Sequence, residues 1–262
     1  MDLPILLSLT SIIGLSIFVS KVTKISFAYM PLVTFAALST LGFFMLGFGY
    51  FGIYKVLVCI LGNILLVYLT LQEIFKVRSF RVVIANNLYP IIFLVLSLLL
   101  LIWLKETKLY GWDEFFWGQF SKFVHANNTF WDSNSAVLIS HAHYPPGPAI
   151  TQNIFMPFGP FNEGAIYYAN IFPFFCILLL ISKIVSDAKA NILLKIIKIL
   201  ISIFAFTWLY FYFGFSGEKY ASYGKIDHTM GVVFSAGVLM LINSKLKGKE
   251  LLLVFPIISL LC

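Results

Sequence analysis

Two carboxylates stand side by side at Asp113 and Glu114, inside the aromatic run Gly111-Trp112-Asp113-Glu114-Phe115-Phe116-Trp117. A carboxylate partly desolvated by rings at a membrane surface has its proton affinity moved toward the working pH, which suits Asp113 to general-base chemistry with Glu114 beside it. The same residue types serve a structural purpose as well. Asp113 can cap a helix, Glu114 can favour the helix dipole, and the rings can form an interfacial belt. Both roles can be held at once. Trp112, Phe116, Phe120 and Phe123 recur at helical spacing, which predicts an amphipathic helix lying in the headgroup plane with Asp113 in its first turn.

Two further groups carry polar chemistry. His141 and His143 precede Tyr144-Pro145-Pro146-Gly147-Pro148, a rigid extended stretch followed by a predicted helix from Pro148 to about Met156. Histidines two apart in an extended strand point the same way and can grip a metal ion or a phosphate. Without a third ligand nearby, the pair reads first as solvated loop side chains, so the metal is left unassigned. Asn127-Asn128-Thr129 matches a glycosylation sequon, a pattern short enough to arise by chance. Later, Lys219, Lys225, Asp227 and His228 cluster in a second polar segment, where the lysines suit a phosphate and, with Tyr220 and Tyr223, also suit anchoring at a membrane edge.

These groups must be positioned by something that is not a soluble domain. Of 262 residues, 60% are hydrophobic, 18% aromatic and only 11% charged. A soluble domain carries roughly 25% charged residues, because its surface must be solvated. The mean hydropathy of +0.95 agrees with a chain whose solvent is lipid. Disordered, collagen-like, coiled-coil and disulfide-stapled classes are excluded. Cys59, Cys176 and Cys262 all lie in apolar runs and behave as small hydrophobes. The net charge of +7 forms no basic stripe interleaved with aromatics, so nucleic acid is not an expected partner.

A helix needs about 20 apolar residues to cross the hydrocarbon core. Such stretches fall near 3–20, 25–47, 55–72, 82–104, 165–182, 196–213 and 228–243, with a partial one at 251–262. The expected architecture is therefore an all-α polytopic transmembrane bundle of about seven to eight spans, in one membrane domain, with a long loop at about 105–164 carrying short interfacial helices. The first stretch follows Met1-Asp2 with no basic region and reads as an anchor rather than a signal peptide. The last contains Pro256 and is too short to cross, which leads us to expect that the chain is part of a longer protein.

Basic residues occupy alternate connections: Lys21 and Lys24; Lys76, Arg78 and Arg81; Lys183, Lys189, Lys195 and Lys198; Lys245, Lys247 and Lys249. This side holds 12 of the 18 basic residues, against Glu73, Asp187 and Glu250 among the acids, and the positive-inside rule makes it cytoplasmic. The amino terminus and the long loop are then expected outside a cytoplasmic membrane, and the loop far exceeds the length a connection needs.

An outward acid pair shortly after a span, an interfacial helix and a large loop before further spans resemble the GT-C superfamily of polytopic glycosyltransferases. Gly111-Trp112-Asp113-Glu114-Phe115 with Trp117, then His143-Tyr144-Pro145-Pro146-Gly147, resemble bacterial envelope proteins related to protein mannosyltransferases and aminoarabinose transferases. The resemblance covers about 105–230. It implies transfer of a sugar from a polyprenyl-phosphate donor to a lipid, glycan or protein acceptor on the outer face. It further implies Asp113 as base or ligand of a divalent metal, Glu114 as the second acid, and Asp227 as a later acidic position. The chain departs from that pattern in placing four spans, rather than one, before the acidic loop.

Independently of the resemblance, an acceptor hydroxyl needs a base and a departing polyprenyl phosphate needs cations, for which Lys219, Lys225 and His228 are candidates, with His141 and His143 behind them. Trp112, Trp117 and Tyr144 are of a kind to stack on sugar faces or isoprenoid. Alternative readings are a polysaccharide polymerase or ligase, disfavoured because Arg78 and Arg81 both fall on the inner side, and a non-enzymatic transporter or structural membrane subunit. Transporters commonly carry ionisable groups within their spans, and these spans are almost free of them.

Overall fold

A computed structural model of the protein describes residues 3–76, 88–103, 112–131 and 146–185, with isolated helical positions between 193 and 204; for residues 112–117 it describes the backbone alone. The described residues form an all-α architecture. Its elements are α1 (Leu3–Thr23), a 3-10 turn η1 (Phe27–Tyr29), α2 (Met30–Gly47), α3 (Phe51–Lys76), α4 (Leu88–Trp103), α5 (Trp112–Asn127), α6 (Gly147–Ile154) and α7 (Glu163–Val185). Among the described residues four helices are long and apolar enough to cross a membrane: Leu3–Thr23, Phe27–Gly47, Phe51–Phe75 and Glu163–Ile181. The described part of α4 is apolar throughout but only 16 residues long.

Local sequence sets the helix ends. Ser26 accepts a bond from the Ala28 amide (3.4 Å) to start η1, and Pro31 occupies the first turn of α2, where a missing N–H costs nothing. Between α2 and α3 the chain reverses in three residues. Gly49 takes φ 76°, a left-handed conformation that glycine adopts without strain, while the Gly49 and Tyr50 amides bond back to the Leu46 and Met45 carbonyls (3.1 and 2.8 Å). Asn162 caps α7, its Oδ1 accepting from the Gly164 amide (2.7 Å).

α1 and α3 run parallel, with α2 returning between them. Their seam is built from small and polar residues, the means by which helices associate where no hydrophobic driving force separates protein from solvent. A methyl group placed on Gly14 would collide with the Gly62 carbonyl oxygen, and one on Gly62 would collide with the Ser11 backbone. The close approach lets side chains bridge the helices. The Ser11 hydroxyl donates to the Val58 carbonyl (2.7 Å), Thr10 Oγ1 donates to Asn63 Oδ1 (2.6 Å), and Asn63 Nδ2 donates to the Leu7 carbonyl (2.8 Å). At the far end of this seam Lys21 Nζ meets Glu73 Oε1 at 2.8 Å. Charge segregation had assigned these two residues to one face of the membrane, and they lie together.

The core forms where α7 packs on α4 and α2. α4 and α7 are antiparallel, with Phe93 against Phe172 (centroids 5.6 Å) and the Tyr168 hydroxyl donating to the Ser97 carbonyl (3.4 Å). Phe35 of α2 meets Phe172 edge-on (5.0 Å).

Three of the described helices, α1, α3 and α7, extend beyond the apolar limits set by hydropathy. α1 continues to Thr23, α7 runs from Glu163 to Val185, and α3 begins at Phe51 rather than at 55. Hydropathy stops at polar residues, whereas backbone hydrogen bonding does not. The difference matters at α3, because it carries Lys55 into the span. The stretches at 228–243 and 251–262, and most of 196–213, lie outside the described residues.

Candidate functional site

The end of the bundle opposite Lys21 and Glu73 carries α5 and α6. Three contacts bring the connecting segments to this end: Asn128 against Gly52, Phe130 against Gly47, and Gly159 against Pro4. α5 starts at Trp112, so Asp113 and Glu114 both fall in its first turn, as expected. The free amides of a first turn favour negative charge there. The backbone also starts one residue before Asp113, which puts Asp113 inside the helix rather than at its cap.

The rest of α5 is held by protein contacts. Phe120 and Val124 are fully buried, and Phe120 packs on Trp131 with centroids 4.5 Å apart. Phe51 of α3 and Ala149 and Ile150 of α6 complete this cluster. Phe120 is therefore turned into the protein and not toward lipid, a departure from the purely interfacial helix that its spacing suggests. By register Asp113 lies two turns before Phe120 and shares its face of the helix.

α6 explains the departure. The helix is predicted at Pro148 to about Met156 and found at Gly147–Ile154, but it does not rest on the membrane surface. Ile150 packs on Gly42, and Phe155, just beyond the helix, packs among Phe35, Tyr168 and Phe172. Gly42 and Phe35 are seven residues apart in α2, or about 10 Å along its axis. Both lie inward of the Gly47 end, so the segment enters the bundle between α2 and α7 and then returns through Gly159 (φ 85°).

Descending into an apolar interior requires that polar groups be partnered. Asn153 is fully buried, and its Nδ2 donates to the Ser121 carbonyl (2.9 Å) and the Ala149 carbonyl (2.8 Å), with Ser121 Oγ at 3.1 Å. Those carbonyls fix the amide's orientation, leaving Oδ1 toward His125 Nδ1 (3.2 Å). The other ring nitrogen of His125 faces the Gly159 carbonyl (3.0 Å). Asn153 and His125 thus tie α5, α6 and the return turn into one unit. Gln152, also fully buried, donates to Asn170 Oδ1 of α7 (3.2 Å), while its own Oε1 has no partner.

Lys55 is the residue that sequence reasoning missed. It is 5% exposed and sits over the Phe51 ring, with Nζ 5.2 Å from the centroid. Among the described residues its ammonium has no ion pair and no hydrogen bond. Its signal was a lone lysine between Tyr54 and Val56 at the head of an apolar run, which the span limits at 55–72 placed on a boundary.

Of the residues singled out from sequence, Asp113, Glu114, Trp112 and Trp117 lie on α5. His141, His143, Tyr144, Lys219, Lys225, Asp227 and His228 lie outside the described residues. Among the described residues no group of three or more His, Cys, Asp or Glu side chains converges to hold a metal ion. Compared with protein-family models, with curated proteins and with solved structures, the chain finds no match.

Proposed function

We propose that this polytopic membrane protein is a glycosyltransferase of the GT-C type, moving a sugar from a polyprenyl-phosphate donor to an envelope acceptor on the extracytoplasmic face. One observation carries the reading. The acid pair Asp113 and Glu114 opens a helix that is fixed to the bundle by the Asn153 and His125 contacts and by the Phe120 cluster. A base must be held within hydrogen-bond reach of the hydroxyl it deprotonates, and a helix tied at this many points holds its first turn better than a loop would.

In this reading Asp113 takes the acceptor's proton as the hydroxyl attacks the anomeric carbon. The bond from that carbon to the donor phosphate breaks, and the polyprenyl phosphate leaves carrying the negative charge. Glu114 supports Asp113 or shares a divalent metal with it. Trp112, Trp117 and Tyr144 contact sugar or isoprenoid, and Lys219, Lys225, Asp227, His228, His141 and His143 contribute to phosphate and sugar binding.

The test is mass spectrometry of glycolipids and envelope glycans from cells with the wild-type open reading frame, with Asp113→Asn, and with none. The expected result is an accumulating polyprenyl-phosphate sugar and one glycan modification lost equally in the mutant and the null, with membrane insertion intact. A mutant matching wild type while the null differs overturns the assignment and leaves Asp113 a structural residue.

A further inference from the structure

Lys55 is placed where a cation is least welcome. A lysine leans toward the amino terminus of its own helix, and Nζ accordingly reaches back one turn to the ring of Phe51, the first residue of α3. The amides of Phe51, Gly52 and Ile53 precede the first helical bond, from the Tyr54 amide to the Tyr50 carbonyl (2.9 Å), and present the positive end of the dipole of a 26-residue helix. The ammonium and the dipole repel each other. Burial removes the water that would screen them, since the residue is 5% exposed. The ring face of Phe51 offers a weak attraction and no hydrogen bond.

A second polar group at the same turn is also unsatisfied. The Asn128 side chain lies against Gly52, and its Oδ1 is buried without a partner. Within the first turn of α3 lie an unpaired cation over the Phe51 ring, the helix's free amides and, against Gly52, an unpartnered acceptor; together these suit an anion bearing a hydroxyl donor.

We infer that Lys55, the first amides of α3 and Asn128 form a binding site for a lipid phosphate whose head carries hydroxyl groups. The phosphate oxygens accept from Lys55 and from the α3 amides, and a head-group hydroxyl donates to Asn128 Oδ1. Two sources share this chemistry, a polyprenyl phosphosugar and phosphatidylglycerol. The choice of the first rests on the proposed function; the site itself does not. By its contacts the site adjoins the Phe120 cluster that seats α5, the helix of Asp113 and Glu114.

Binding separates these possibilities without any sugar transfer being required. The full chain is purified, delipidated and titrated with a polyprenyl phosphohexose, phosphatidylglycerol and phosphatidylcholine in nanodiscs, for wild type, Lys55→Met, Lys55→Arg, Asn128→Ala and, in the α1/α3 seam, Ser11→Ala. Loss of a charge-assisted contact to phosphate is expected to weaken binding about tenfold or more in Lys55→Met. Lys55→Arg retains most of the affinity, Asn128→Ala is intermediate, and folded Ser11→Ala binds as wild type does. Without lipid, Lys55→Met melts at or above the wild-type temperature, because an unpaired buried charge has been removed. Equal affinity in Lys55→Met and wild type overturns the site. So does a lower melting temperature of Lys55→Met in the lipid-free state, which marks the charge as structural. Binding of phosphatidylglycerol alone keeps the site and counts against the donor reading; equal binding of phosphatidylcholine shows no hydroxyl recognition and overturns the role of Asn128.

Discussion

The α1/α3 seam and the α5/α6 unit both bury polar groups inside an apolar bundle, yet they do so differently. Along the seam, Thr10, Ser11 and Asn63 pair across two parallel helices brought together by Gly14 and Gly62. At the opposite end, Asn153 is as well partnered as any of these, but Lys55, Asn128 Oδ1 and Gln152 Oε1 are not. Satisfied polar contacts in low dielectric hold helices in register. Unsatisfied ones in the same setting cost stability. Ser8 Oγ of α1 and Ser97 Oγ of α4 are also buried without a partner among the described residues, so it is the unpaired Lys55 ammonium that sets this end apart. The contrast is between a joint and the end for which a ligand site is proposed.

Removing the plug tests whether the second region is built as described. Phe155→Ala deletes a ring that touches Phe35, Tyr168 and Phe172, and a cavity of that kind costs about 3–5 kcal/mol. Thermal unfolding in detergent should show the largest loss of any substitution considered, and proteolysis should open the connection between α6 and α7. An unchanged melting temperature would mean that this segment does not enter the bundle.

The seam should respond next. Gly62→Ala sets a methyl group into the Ser11 backbone, where no side chain can rotate away, so the helices must separate. Overpacking costs about 1–3 kcal/mol, and separation also lengthens the bonds of Thr10, Ser11 and Asn63. Gly49→Ala, at an open turn with φ 76°, is the control: it strains one residue without touching the seam. Equal melting of Gly62→Ala and wild type would remove the close approach from the account.

A third substitution separates the networks. Asn153→Ala removes the side-chain donor shared by the Ser121 and Ala149 carbonyls and the partner of His125 Nδ1, which together hold α5 to α6, at about 1–3 kcal/mol. Because those contacts hold α5, the substitution should also depress the proposed sugar transfer beyond what the stability change explains. Ser11→Ala, in the seam, should lower stability and leave the activity per folded molecule alone. Parallel effects in both variants would erase the functional contrast between the regions.

What the sequence makes legible follows from how each region is encoded. Apolar length reveals α1, α2, α3 and α7 to within a few residues, since a span must be about 20 residues long. Proline and ring spacing reveal α5 and α6 as helices. Their burial is not legible, because Gln152 and Asn153 read as solvated polar positions of an interfacial helix unless one knows that Asn170 and Ser121 stand opposite. The glycines of the seam are invisible for the same reason: Gly14 and Gly62 acquire meaning only as a pair 48 positions apart. Of the candidate site, the acid pair was read from adjacency, while Lys55 was lost at an apolar boundary.

The smallest effect concerns the far end of the seam. Lys21 and Glu73 are partly exposed and 2.8 Å apart, and exposed pairs contribute about 0–1 kcal/mol, so Lys21→Met should hardly move the melting temperature. The pair is more useful as a marker of sidedness. With Cys262→Ser to remove one thiol, and with Cys59 and Cys176 buried, single cysteines at positions 21, 73 and 128 can be labelled in intact cells and after permeabilisation. Positions 21 and 73 should label only once the membrane is opened, and position 128 before. If all three label from one side, the end of the proposed ligand site and the joint's charged end do not face opposite compartments. The site at α5 would then lack access to an extracytoplasmic donor, whatever its chemistry.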